Sequence, residues 1–244
     1  MGDPAAETAS SEAGPKSVAL APAWHTAIVL LLFAALAAAA LRGGHRPAAQ
    51  IHHRLLGYAI SMAAEWLIFG FIAIGPLWYG PSLKALAGRF SPNLRSVALD
   101  LGIAVAYLVV ANYLLAALGI VLGHFMKSGV TESLKNALPR TVLEDAVFLL
   151  VALTAGICEE MIFRGYLQHQ ITGWTRNAAV GIVLQGVLFG VAHAYQGTSQ
   201  IIVIAFFGCM FGWLAWWRRS LRPGILAHFL QDAIGGLVLA KFIK

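Results

Sequence analysis

The chain has 244 residues, 59% of them hydrophobic and only 11% charged, with a mean hydropathy of +0.74. Soluble domains carry about a quarter charged residues, so a water-soluble protein is excluded and the bilayer is this chain's solvent. The 17 Lys and Arg against 11 Asp and Glu lie mostly between apolar runs, where loops meet anionic head groups; this is membrane-surface charge, not a nucleic-acid footprint.

Residues 1–22 read as a disordered polar tail, with Asp3, Glu7 and Glu12 against a single Lys16, the opposite of a basic secretory signal. Trp24–Leu41 is the first apolar run near the roughly 20 residues that cross a bilayer, closed by Arg42-Gly43-Gly44-His45-Arg46-Pro47. After the solvated His52-His53-Arg54, Leu55–Tyr79 is the second, with Trp66, Trp78 and Tyr79 as interfacial anchors. Residues 81–96 hold Pro81 and Pro92 with Lys84, Arg89 and Arg95, a loop with a short surface helix. Val97–Phe125 is long enough to span with tilt. A polar stretch then closes at Pro139, and Thr141-Val142-Leu143-Glu144 has capping-box spacing, so a fourth helix starts at Thr141. At 1.5 Å per residue, Glu159 lies about 27 Å along it. Ile162, Phe163, Tyr166, Leu167 and Ile171 continue its apolar stripe until Gly173-Trp174-Thr175-Arg176. Asn177–Tyr195, Ser199–Trp217 and Pro223–Ile243 are the fifth, sixth and seventh spans, the last with Pro223 in its first turn.

The expected fold is therefore an all-α polytopic transmembrane bundle of about seven spans, six to eight. It divides into the tail, N-terminal helices over 23–138 and a core over 139–244. The protein is expected to be a multi-pass membrane protein, in the inner membrane if bacterial. Basic loops alternate between the two faces, so the positive-inside rule does not set orientation. Cys158 and Cys209 both sit in apolar runs, which indicates no disulfide framework. An apolar setting makes Cys158 an inert thiol rather than a nucleophile.

From Ala146 onward the chain has three carboxylates, Glu159, Glu160 and Asp232, and three histidines, His169, His193 and His228. Glu159-Glu160-x-x-x-Arg164, Phe189-x-x-x-His193 and His228-x-x-x-Asp232 fall in three different expected helices. Each charge at a bilayer centre costs about 2.5–3.5 kcal/mol, so the cluster demands partners. Glu160 and Arg164 are one turn apart and can neutralise each other, which leaves Glu159, about 100° away, free to act. A carboxylate and an imidazole can take a proton from water, and a second imidazole with a neighbour can stabilise an oxyanion. Peptide hydrolysis fits these parts.

The three motifs resemble those of the CAAX-protease and bacteriocin-processing family, or Abi proteins: intramembrane glutamic endopeptidases that include the type 2 CAAX prenyl proteases. Glu159-Glu160-Met161-Ile162-Phe163-Arg164-Gly165-Tyr166-Leu167 is close to the family's first motif. The resemblance covers roughly Pro139 to Leu239, the family's four-helix catalytic core. It implies that Glu159 and His193 activate water, that His228 and Asp232 help stabilise the oxyanion, and that Glu160 and Arg164 form an orienting pair. Eukaryotic CAAX members have asparagine where this chain has Asp232. An ionised aspartate cannot donate to an oxyanion, so Asp232 is either protonated or orients His228.

The expected partners are membrane lipids and a membrane-associated peptide or protein substrate, with no nucleic acid. No cofactor is expected. Two histidines and a carboxylate could hold zinc, but there is no His-Glu-x-x-His run and no third strong ligand, so direct glutamate chemistry ranks above a zinc-dependent protease. A non-enzymatic immunity or scaffold protein keeping the fold, and a proton pathway through Glu65, Glu159 and Glu160, are the readings from other classes. Glu65, inside the second span, either lines the cavity or pairs with a core base. Asp100 is expected to favour a helix N-terminal dipole, Asn112 and Gln185 to bond between helices, and His169 to be interfacial.

Overall fold

A computed structural model describes residues 19–43, 54–79, 82–126 and 132–242. Most of the expected tail, the His52-His53 pair and part of the polar stretch before Pro139 lie outside them. Five helices are long and apolar enough to cross a membrane. They are α2 (Arg54–Tyr79), α4 (Leu94–Gly123), a continuous helix over 142–175, α9 (Thr198–Arg218) and α10 (Arg222–Phe242). The apolar parts of α1 (Ala23–Gly43) and α8 (Ala178–Ala192) are shorter. Together they are the expected polytopic helical bundle. The short helices α3 (Leu83–Ala87) and α5 (Glu132–Ala137) sit in the connections. Large apolar side chains such as Leu31, Leu67, Val110 and Trp78 face outward, an arrangement that would aggregate in water and that hydrocarbon accepts.

The long helix starts as the sequence dictates. Thr141 Oγ1 accepts from Glu144 N–H at 3.2 Å, and Glu144 Oε2 accepts from Thr141 N–H at 3.1 Å, a reciprocal capping box. α6 runs Val142–Glu159 and then continues without a break, but Glu160–Leu167 adopts π-helical i→i+5 bonding before α7 (Gln168–Thr175). The expected helix is continuous, therefore, but wider in the one turn that carries the charged motif. Such π turns recur at functional sites.

α8 and α9 lie nearly backbone to backbone. Gly186 on one helix faces Gly208 on the other, where a Cβ on Gly208 would come within 2.9 Å of Gly186 Cα, and Gly190 faces Ile201 and Ala205. Small residues at four-residue spacing permit this approach, and close packing together with a Gln185 Nε2 bond to Gly208 O holds the pair in lipid. α2 and α10 pack along α6, and α4 along α10. α1 is fastened by polar contacts instead. Gln170 Oε1 accepts from the Leu20 and Ala21 amides, and its Nε2 donates to Ala21 O. Tyr166 O–H reaches both His25 Nδ1 and Thr26 Oγ1 at 2.8 Å.

At one end of the bundle the α3 connection is tied to the α9–α10 turn. Arg89 N–H donates to Arg219 O at 2.9 Å and Leu221 N–H to Ala87 O at 2.9 Å. Asp100 departs from expectation. It is the seventh residue of α4, beyond the first turn where the dipole acts. Its buried carboxylate instead accepts from Arg222 Nε at 2.6 Å and Arg218 Nη2 at 2.9 Å. Arg222 is buried and Arg218 partly exposed, so the two bonds are unequal. Asp100→Ala strands a buried guanidinium and should cost about 3–5 kcal/mol. Arg218→Ala should cost under about 1 kcal/mol. Thermal unfolding of the purified variants in micelles checks the difference.

Candidate active site

The π turn sets the site's foundation. Glu160 and Arg164 are both fully buried, with Arg164 Nη1 3.1 Å from Glu160 Oε1. The arginine needs more than one partner at that depth. Its guanidinium carbon lies 4.3 Å from the Phe189 ring centroid and 4.9 Å from that of Phe211. Its Nη2 donates to Gly208 O at 3.3 Å. Cation–π contact with two rings replaces hydration that the interior cannot supply. The glycine at 224 lets the α10 backbone close over the pair, because a Cβ there would stand 2.9 Å from Glu160 Oε2.

His193 is not inside a helix, as Asn177–Tyr195 would have it. α8 stops at Ala192, His193 is its C-cap, and a single 3₁₀ turn follows over Ala194–Gln196. The reason is local. His193 N–H bonds Gly190 O, and its ring Nδ1 takes Phe189 O at 2.8 Å, the carbonyl that another helical turn would have used. A carbonyl only accepts, so Nδ1 carries a proton, and Nε2 is the ring nitrogen turned outward. The Phe189 ring lies 4.6 Å from the imidazole and limits its motion.

That Nε2 is 3.9 Å from Glu159 Oε2, and His228 Nε2 is 3.6 Å from the same oxygen. His228 Nδ1 bonds Glu160 Oε1 at 3.1 Å, while its Nε2 also lies 3.6 Å from Asp232 Oδ2. His228 thus touches or approaches all three carboxylates of the C-terminal half. The six charged or imidazole residues of the three motifs meet at one place. Separations of 3.6–3.9 Å are too long for direct hydrogen bonds. Asp232 is the most open, its side chain 38% exposed.

A hollow of about 220 Å³ opens beside this cluster, lined by Glu159, His193, Glu65, Ser61, Tyr195 and Phe33 among others. A larger one, about 580 Å³, lies at the α7–α8 end among Arg89, Thr172 and Trp217 and holds none of the six. The smaller hollow is the candidate site because Glu159 and His193 line it. Glu65 lines it, one of the two alternatives the sequence left open, and Tyr195 and Ser61 are lining residues that local patterns do not mark. Gln185 bonds Gly208 O and Asn112 bonds Gln231, both between helices. Cys158 is buried as a free thiol, and His169 is exposed, its Nδ1 bonded to Arg164 O. Among the described residues, no three His, Cys, Asp or Glu side chains are arranged to hold a metal ion.

Residues 142–234 match a family model described as type II CAAX prenyl endopeptidase Rce1-like. Through this segment the chain is similar to the CAAX-protease family. No curated protein and no solved structure matches it. The Rce1-like segment runs from the capping box to just past Asp232, and so takes in all three motifs and omits α1, α2 and α4. The matched family is one of proteases, and five helices of membrane-spanning length and apolarity mark an integral membrane protein.

The two adjacent glutamates differ in what holds them. Arg164→Ala leaves Glu160 buried without its counter-ion and should destabilise the fold by about 3–5 kcal/mol. Glu159, whose Oε2 has no hydrogen-bond partner, contributes no comparable bond. Glu159→Gln should unfold at or above the wild-type temperature, since reactive positions are commonly held against stability. Unfolding curves for both variants in one detergent give the comparison.

Proposed function

We propose that this chain is an intramembrane endopeptidase that hydrolyses a peptide bond of a membrane-associated protein or peptide, with water activated by Glu159 and His193. The observation that carries the reading is the placement of one buried, unpartnered carboxylate oxygen between two imidazole Nε2 atoms, beside a hollow able to hold water.

A water between Glu159 and His193 gives up a proton to them, and its oxygen attacks the scissile carbonyl. Phe189 O keeps His193 in the tautomer with Nε2 free, so the base faces the water. His228 acts in its doubly protonated form, Nδ1–H held by Glu160 and Nε2–H offered to the oxyanion. Asp232, 3.6 Å from that Nε2, orients it. Glu160 and Arg164 hold His228 at its working angle and take no part in bond making. The chemistry uses no metal. Low surrounding dielectric strengthens each of these interactions and limits competing water.

The substrate is a segment held at the membrane. A prenylated CAAX peptide and an unprenylated membrane-anchored peptide are the two forms to compare, with the protein purified in micelles or liposomes. Wild-type protein should cleave one of them, and Glu159→Gln and His193→Ala should each lose about 10²–10⁴-fold in rate, the range general acid–base groups supply. Undiminished cleavage by either variant overturns the mechanism. Loss of activity with a chelator, restored by zinc, would replace it with the zinc-dependent version. Complementation of a deletion by Glu159→Gln would indicate a scaffold or immunity protein.

A further inference from the structure

Glu65 reaches the hollow from α2, while Glu159 reaches it from α6 and His193 from the end of α8. It is not a stray surface charge. Tyr58, Ser61, Glu65, Ile68 and Ile72 recur at three- and four-residue spacing on the face of α2 that packs against α6, and Tyr58 and Ile72 are buried, whereas Leu67 beside Glu65 faces outward. Glu65 Oε1 accepts from Ser61 Oγ at 3.4 Å. Its Oε2 is buried and has no hydrogen-bond partner. Among the described residues no lysine or arginine pairs with it. A second carboxyl group in an apolar span, unneutralised and lining the same hollow as the first, is costly unless it is used.

We propose that Glu65 is the general acid of the reaction, the group that protonates the leaving nitrogen; the inference rests on the hydrolase reading above. Glu159 and His193 have by then taken the proton from water, and the new C–O bond has made the carbonyl an oxyanion. When the oxyanion collapses, the C–N bond breaks and Glu65 transfers its carboxyl proton to the nitrogen, leaving as an amine. The carboxylic acid product forms at the same moment. Glu65 is then a carboxylate, and the proton held between Glu159 and His193 crosses the hollow to restore it. Two carboxyl groups at one site divide the work of base and acid, each in the protonation state its step needs.

Leaving-group chemistry tests this. The substrates are the peptide cleaved by the wild type and a matched analogue in which the scissile amide is an activated aryl ester, whose phenolate departs without a proton. Glu65→Gln should lose about 10²–10⁴-fold in kcat on the peptide with KM little changed, keep most of the wild-type rate on the ester, and unfold at the wild-type temperature. Glu65→Asp should recover part of the peptide rate. Equal rates for Glu65→Gln and wild type on both substrates would overturn the proposal. So would equal losses on both, the mark of a structural role. If Glu159→Gln cleaves as well as the wild type, the hydrolase reading fails instead, and Glu65 with it.

Discussion

The constraint on which the rest depends is the burial of a full positive charge, Arg164, inside the bundle with no water to solvate it. Everything around it answers that charge. Glu160 comes from its own helix, Phe189 from α8, Phe211 and Gly208 from α9, and the glycine at 224 lets α10 close over the carboxylate. One guanidinium therefore fixes the relative positions of the four elements that also carry Glu159, His193 and His228. Such a pair adds little net stability over a well-packed apolar substitute, but losing one partner is expensive. Its contribution is to specify one arrangement.

From that anchor a chain of contacts runs to the hollow. Arg164 orders Glu160, Glu160 holds His228 Nδ1, and His228 Nε2 is thereby turned toward Glu159 and Asp232. His193 is set independently by Phe189, through its carbonyl and its ring together. Phe189 also stacks on Arg164, so the two lines of support meet at one residue. The adjacent glutamates have opposite surroundings for this reason. Glu160 Oε1 is held by Arg164 and His228, and Glu159, one residue back on the helix, borders the hollow.

Much of this was legible in the chain alone, because hydrocarbon makes polar residues informative. Six charged or imidazole side chains in runs of alanine, leucine and glycine have few reasons to exist, and three pairs at four-residue spacing fix their own faces. Capping signals placed the start of the long helix at Thr141, since that code is local. The remainder depends on distant partners. Nothing near Asp100 shows that Arg222, over a hundred residues on, will take it, and nothing near Gln170 shows that it will bind the chain at Leu20. Glu65 could be seen but not assigned, because the α2–α6 packing that aims it is invisible to periodicity. The π turn has no sequence signature, and the early end of α8 turns on one carbonyl choosing an imidazole over an amide.

That early end has a physical consequence for access. α8 has 15 residues, about 22 Å at 1.5 Å per residue, against about 30 Å of hydrocarbon. Exposed Arg176 at its start holds that end at the membrane surface. A helix of that length anchored there would stop short of the opposite surface and leave His193, the 3₁₀ turn and Gly197 within the apolar layer. Non-helical backbone at that depth is tolerated only against protein or beside water, since lipid offers its amides no partner. Here Ala192, His193 and Tyr195 border the hollow that Glu65 and Glu159 also line. The break in α8 and the polar wall opposite it thus answer one requirement, since backbone freed from a helix needs the polar surroundings that Glu65 and Glu159 give this hollow.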